Sequence, residues 1–342
     1  VPEPPATSAG TGSPRWDWSG AERILLIRLR SIGDAVLTTP SLTALRRFLP
    51  NARIDILLED WVAPVLEGVD TADNIILFSP ENIFARLKLA RRLRASRYDI
   101  VYNLHGGTTS TFLTYASGAR HRVGFGHYRY SFLYNHLGVP ALEFWDRDKL
   151  HSAEQQLALL GWTGVPVGDL PKTSLKVTEA ADEKIAAKLK AVGLAEDSAF
   201  ALIHPAAAFI SKQWAAEKFA AIAEYLSGKG ILTVAVAAAN EEAVLRAVKG
   251  SASVPVITFS DLSLPEITAL AARSRLFVGN DSGIAHIAAA VGKPCVVIFG
   301  SSNIDHWRPY TDAPNEVVSA EDGIEKVSVE MVIEAIEGVL EQ

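Results

Sequence analysis

The sequence predicts a parallel, doubly wound α/β architecture built twice, and three observations carry that expectation. Apolar runs of strand length alternate with helical patterns from residue 23 onward, the spacing that βαβ units produce. A chain of 342 residues is long for one core and comfortable for two domains. A turn-forming stretch over 161–171, GWTGVPVGDLP, divides it near the middle.

The elements follow in order. Residues 1–20 are rich in Pro, Ser, Thr and Gly and read as a flexible leader, with Trp16 and Trp18 available for local packing. RILLIRL (23–29) is a buried strand; the turn Arg30-Ser31-Ile32-Gly33-Asp34 then enters a helix running to Phe48. Further strands are predicted at 53–58, 74–78 and 98–104, with helices at 61–67, 83–94, 108–118 and 150–160. Residues 145–148 read as irregular.

The second half begins with a helix over 179–191. Strands at 198–203, 231–235 and 254–259 alternate with helices at 215–226, 241–248 and 264–271. A strand–turn–helix–strand unit follows, RLFVGNDSGIAHIAAAVGKPCVVIFG over 275–300. Residues 305–310 read as loop, and 328–340 as a helix with one apolar face. The expected division is a leader (1–20), a first domain (21–170), a second domain (171–326) and a C-terminal helix (327–342).

Composition narrows the function classes. With 49% hydrophobic and 21% charged residues, the chain supports large buried cores, and its net charge of -6 argues against a nucleic-acid binder. Charge is uneven: residues 1–170 hold 18 Lys and Arg against 17 Asp and Glu, which leaves 15 against 22 for the rest. The single cysteine, Cys295, excludes an intrachain disulfide and reads as an inert core residue. No apolar run is long enough to span a membrane and no secretion pattern opens the chain, so the expected setting is cytoplasmic.

Polar residues at strand ends are the candidates for chemistry, because open parallel sheets bind ligands there and helix N-termini hold anions. Asp34 follows the first strand; it is either a first-turn carboxylate or a general base. The turn around it is not a dinucleotide loop. His105-Gly106-Gly107 ends another strand. Lys212, in HPAAAFISKQW, stands near a helix start and suits a diphosphate. Glu241 and Glu242 open a helix and suit ribose hydroxyls. Asp281, Ser282, Gly283 and His286 gather at one turn and helix N-terminus, favouring phosphate. Asp146-Arg147-Asp148 is a chance DxD, so no metal site is expected. A helix carrying Arg86, Lys88, Arg91, Arg92 and Arg94, with Arg97 beyond it, is either a solvated face or a contact for anionic lipid.

Three stretches together carry a family resemblance: IRLRSIGDAVLTTPSLTALRR, HPAAAFISKQW and GNDSGIAHIAAAVGKPCVVIFG. From about residue 23 to 310 the chain resembles the ADP-heptose–lipopolysaccharide heptosyltransferases of glycosyltransferase family 9. The resemblance implies a GT-B fold, two Rossmann-like domains facing a central cleft. It implies an inverting transfer of heptose from ADP-heptose to a hydroxyl of the anionic lipopolysaccharide inner core, with no cofactor, since the ADP-sugar is a substrate. By position, Asp34 matches the family's general base and Lys212 its phosphate-binding lysine. Asp281, Ser282, Gly283 and His286 match the donor-phosphate motif, and Glu242, or Glu241, the nucleotide-side glutamate. Arg30, His105, Arg120 and Arg122 are assigned to the acceptor, and a peripheral contact with anionic membrane is expected. Pro205-Ala206 stands where the family commonly has Pro-Gly, Ala238-Ala239 where it often has glycines, and LHGG is an unusual acceptor-side segment. Alternatives are a related transferase using another nucleotide sugar, a sugar-nucleotide hydrolase or epimerase, or a noncatalytic binding protein.

Overall fold

The computed structural model describes residues 12–79 and 83–342. It divides into two compact units, residues 1–173 and 174–342, a boundary three residues beyond the expected one.

The first unit runs β1 (Arg23–Ile27), α1 (Ile32–Val36), α2 (Thr39–Phe48), β2 (Arg53–Glu59), β3 (Asn74–Phe78), α3 (Ile83–Ala95), β4 (Ile100–Asn103) and α4 (Thr108–Ala116). It continues through β5 (His121–Phe125), β6 (His136–Gly138), α5 (Ala141–Trp145) and α6 (Ser152–Trp162). The second holds α7 (Glu179–Ala191), β7 (Phe200–His204), α8 (Ala216–Gly228), β8 (Leu232–Val236), α9 (Glu242–Ser251), β9 (Val256–Phe259) and α10 (Leu264–Arg273). Then come β10 (Leu276–Asn280), α11 (Gly283–Ala290), β11 (Cys295–Ile298), α12 (Ile304–Trp307), β12 (Asn315–Val318) and α13 (Val329–Glu341).

Each unit builds one six-stranded sheet, ordered β3-β2-β1-β4-β5-β6 and β12-β11-β10-β7-β8-β9. All pairings are parallel, from Ile24↔Ile100 between β1 and β4 to Phe277↔Leu202 between β10 and β7. Renumbered within its unit, the second order reads as the mirror of the first, so both are the same doubly wound fold. In such sheets the strand order reverses at one place, here between β1 and β4 and between β7 and β10. Ligands bind beyond the carboxyl ends of those strands. The central strands are buried on both faces, which is why β1 and β10 read as continuous apolar runs.

Several elements differ from expectation, each for a local reason. The helix expected through Phe48 breaks into α1 and α2. Pro40, in the first turn of α2, has no N–H to give the Val36 carbonyl, and the Thr39 hydroxyl bonds it instead at 2.8 Å. β5, β6 and β12 lack an apolar run: HRVGF opens on two charged or polar residues, while HLG and NEVV are short edge strands. Residues 305–310 are not all loop, since Asn303 caps the single turn of α12. The leader is packed from residue 12 on. Gly12 donates to the Gly161 carbonyl at 2.8 Å, Trp16 stacks on His121 at 4.3 Å, and the Trp18 ring meets Phe48. Residues 1–11 lie outside the described ones.

Candidate active site

Both candidate sites lie where the strand order reverses. In the first unit Asp34 follows β1 and His105 follows β4. Asp34 is the third residue of α1, and its carboxylate closes a capping box: the Ser31 backbone N–H donates to Oδ2 at 2.9 Å. The Arg28 guanidinium bonds its other oxygen and also the Leu104 carbonyl, so one cation ties the end of β1 to the end of β4. Both side chains are largely buried, 14% exposed each. The Asp34 carboxylate is therefore fixed between a helix terminus and a guanidinium. The peptide bond between Arg30 and Ser31 is cis.

Asn103, fully buried, shapes the neighbouring turn. Its side-chain oxygen accepts the N–H groups of His105 and Gly106, each at 3.0 Å, and its amide donates to Ser110 and Tyr134. Gly106 adopts φ +76°, and a Cβ there would fall 2.6 Å from the Tyr128 ring. Burial, reinforced by Arg28 and Arg30, pushes His105 down to about 4, so the imidazole beside Asp34 is neutral at pH 7.

The structure brings Asp34 and His105 together with Arg28 and Arg30, but not with Arg120 and Arg122. Those two precede and open β5, whose register pairs Arg122 with Val101 at the amino end of the parallel sheet. The Arg122 guanidinium already donates to the carbonyls of Leu133 and Ala119, at 3.1 and 2.9 Å.

In the second unit β7 ends at His204 and β10 at Asn280. Asn280, fully buried, joins the two loops: its oxygen accepts the Trp214 N–H at 3.1 Å and its amide donates to the Pro205 carbonyl at 2.8 Å. Trp214 is sunk in the core and donates through Nε1 to Val327. Lys212, two residues before this anchor, is thereby fixed, and its Nζ donates to Asp281 at 2.9 Å. Asp281 also accepts from the Ser302 hydroxyl. The Lys212 side chain is 25% exposed and that of Asp281 7%, so the lysine is the more accessible partner of the pair.

Ser282 caps α11 by position and makes no side-chain bond to that helix; its hydroxyl instead meets His204 Nδ1 at 3.1 Å. Burial pushes His204 down to about 4, which leaves it neutral. Gly283 starts the helix, leaving its N-terminal N–H groups beside the lysine, and His286 is buried one turn later. A cation, a hydroxyl and a helix N-terminus here converge on one spot, chemistry that suits an anionic leaving group.

Glu241 and Glu242 follow β8, the next strand outward. The Glu241 carboxylate accepts the Ala238 N–H at 3.2 Å, and Glu242 pairs with Arg246 on the surface. The Ala206 side chain is part of the hydrophobic core, and Ala238 has φ -73°, open to any residue. Cys295 is buried, which pushes its thiol far up and leaves it unreactive.

Arg28, Asn103, His204 and Ser302 belong to these clusters without a marked signal along the chain. Ser302 stands two residues beyond the 275–300 unit, in the loop after β11.

The chain is 29% identical over 307 residues to lipopolysaccharide heptosyltransferase 3 of Escherichia coli K12, covering 83% of this chain and 84% of that protein. A glycosyltransferase family 9 structure from Veillonella parvula superposes with a TM-score of 0.84 at 24% identity, covering 93% of this chain and 97% of that one. The E. coli ADP-heptose lps heptosyltransferase II structure gives 0.80, also at 24%, over 94% and 99%. These likenesses show a GT-B fold. The family model for glycosyltransferase family 9 (heptosyltransferase) matches residues 86–335, most of the chain. This protein is therefore a glycosyltransferase and belongs to glycosyltransferase family 9.

Proposed function

We propose that the enzyme moves heptose from ADP-heptose to a hydroxyl of the lipopolysaccharide inner core, on Kdo or heptose, with inversion at the anomeric carbon. The observation that carries this reading is the Lys212–Asp281–Ser302 cluster beside the N-terminus of α11. It supplies positive potential where a nucleotide diphosphate leaves. The Escherichia coli relative is by name a lipopolysaccharide heptosyltransferase, which supports the acceptor class.

In this reaction the Asp34 carboxylate takes the proton of the acceptor hydroxyl. That oxygen forms the new bond to the anomeric carbon as the bond to the β-phosphate oxygen breaks, and ADP leaves with the electron pair. Lys212 and the α11 N–H groups stabilise the charge that develops on the diphosphate. Neutral His204 orients Ser282 toward the same group, Gly283 gives it close backbone approach, and buried His286 backs that turn. Glu242, or Glu241, accepts from ribose. Arg30 and His105, beside Asp34, contact the acceptor; Arg120 and Arg122 contribute positive charge to the same unit at a distance from the base. No cofactor is invoked, and the setting is cytoplasmic.

A donor panel with purified inner-core acceptor tests the assignment. Transfer from ADP-heptose is expected; turnover of a different nucleotide sugar in its place overturns the donor. Asp34→Asn lowers kcat by roughly 10²–10⁴-fold with ADP affinity kept, whereas retained turnover removes the base role. Lys212→Met weakens ADP binding by about tenfold or more.

A further inference from the structure

Trp61 takes no part in the transfer steps assigned to Asp34, Lys212 and the α11 turn. Among the described residues it is the one exposed tryptophan of seven, 50% open to solvent. A single exposed apolar side chain is ordinary on a protein surface. A tethered one at the ligand end of a parallel sheet is not. The Trp61 indole Nε1 donates to Glu59 Oε2 at 2.7 Å, and Glu59 is itself buried. With its N–H occupied, the indole has only apolar surface left to offer.

The backbone beneath the ring is equally fixed. The Glu59 N–H donates to the Leu29 carbonyl at 2.8 Å and the Asp60 N–H to the Phe78 carbonyl at 3.1 Å. The two residues before Trp61 are thereby bonded to the chain just beyond β1 and to the last residue of β3. The Asp60 carboxylate accepts the Trp61 N–H at 2.9 Å and the Ser79 hydroxyl. Val62, fully buried, closes the turn onto the Glu59 carbonyl at 3.0 Å. The short helical turn that follows, Ala63–Leu66, packs against α1, the helix that carries Asp34. Arg30, exposed, comes directly after Leu29. Trp61 and Arg30 thus leave neighbouring strands at the carboxyl end of the sheet, where the Asp34 turn also begins.

We infer that Trp61 is a specificity-determining residue, the platform on which a pyranose ring of the acceptor stacks. A pyranose face made of ring C–H groups is an apolar patch, which an indole matches without any hydrogen bond. The Arg30 guanidinium supplies the charge that an anionic sugar requires. A purine also stacks on indole, but the groups that suit a nucleotide's diphosphate, Lys212 and the α11 N-terminus, belong to the second unit. The assignment rests on the transfer reading, in which the acceptor meets Asp34.

Calorimetry of the full chain with deacylated inner-core oligosaccharide tests it. No donor is present, so a wrong donor assignment leaves the readout intact. Trp61→Leu lowers oligosaccharide affinity roughly tenfold, Trp61→Phe recovers part of the loss, and both keep the wild-type melting temperature and ADP affinity. Steady-state turnover shows the same split: acceptor KM rises while kcat and the ADP-heptose KM hold. Glu59→Ala, which frees the ring, raises acceptor KM severalfold, and Glu59→Gln, which keeps an oxygen for Nε1, restores it. Unchanged oligosaccharide affinity in Trp61→Leu overturns the inference and leaves the transfer reading standing. Failure of the wild-type chain to bind the oligosaccharide overturns both. A loss of ADP affinity as large as the loss for oligosaccharide moves the ring to the nucleotide and overturns the inference as well.

Discussion

Asp34 and Asp281 are both carboxylates largely withdrawn from solvent at a sheet's reversal point, and both are held by a cation. Their surroundings give them different work. Asp34 is tied to its own helix by the Ser31 N–H and to β4 through Arg28, which fixes the carboxylate in one orientation. Asp281 is the anchor for a lysine that is the more exposed partner of the pair. The capping role that Asp34's position announces is present, and a role in catalysis requires the same fixed geometry rather than competing with it. His204 adds a pH dependence whose sign is definite. An unfolded histidine takes a proton near pH 6.5, whereas burial holds His204 unprotonated down to about 4. The unfolded state binds more protons between those values, so stability is full above pH 6.5 and is lost as pH falls toward 4. Between pH 7 and 4.5 the contribution is about 2–3 kcal/mol. Urea unfolding of the second unit should show that loss, and His204→Gln should flatten it; an equal slope in the variant would remove His204 as its source.

At the scale of elements, the central strands were legible because they are buried on both faces and apolar throughout, while the edges β6 and β12 were not, having three or four residues and half-exposed sides. The candidate residues on motif turns were legible too: Asp34, Lys212 and the Asp281–Gly283 turn all stand at strand ends. What the chain order hides is adjacency. Nothing between residues 211 and 301 announces that their hydroxyls lie 2.9 Å apart, because that contact exists only once β10 is flanked by β7 and β11. Gly300 is where this adjacency is tightest. A Cβ on it would stand 2.0 Å from the Ser211 carbonyl oxygen, a backbone atom with no side-chain freedom to yield. Gly300→Ala should therefore push the 209–212 turn from the 300–302 loop and separate Lys212 and Ser302 from Asp281. A stability loss of about 1–3 kcal/mol and at least a tenfold loss of ADP affinity are expected by thermal melting and calorimetry. An unaltered affinity would show that the two loops act independently.

Over the whole molecule, the same strand order appears twice, so each half owns a complete reversal point, and the two sets of polar groups are chemically unlike. Residues 204–302 supply Lys212, Ser282, Ser302 and the α11 N-terminus; residues 28–107 supply a carboxylate, a neutral imidazole and guanidinium groups. Composition foreshadowed this division in its charge: the first half is near neutral and the second strongly acidic. An acidic half that binds a diphosphate has to do so locally, through one lysine and helix N–H groups, because its overall field opposes the ligand. Hydrogen exchange on the full chain resolves this. ADP should slow exchange at the ends of β7 and β10, in the 209–214 segment and in the first turn of α11, while β1 and β4 exchange as before. ADP affinity should also fall only modestly with salt, since a buried, directional set of donors is screened less than a diffuse basic surface. Protection confined to β1, β4 and the Asp34 turn would instead assign the nucleotide to the first unit and reverse the roles proposed for the two halves.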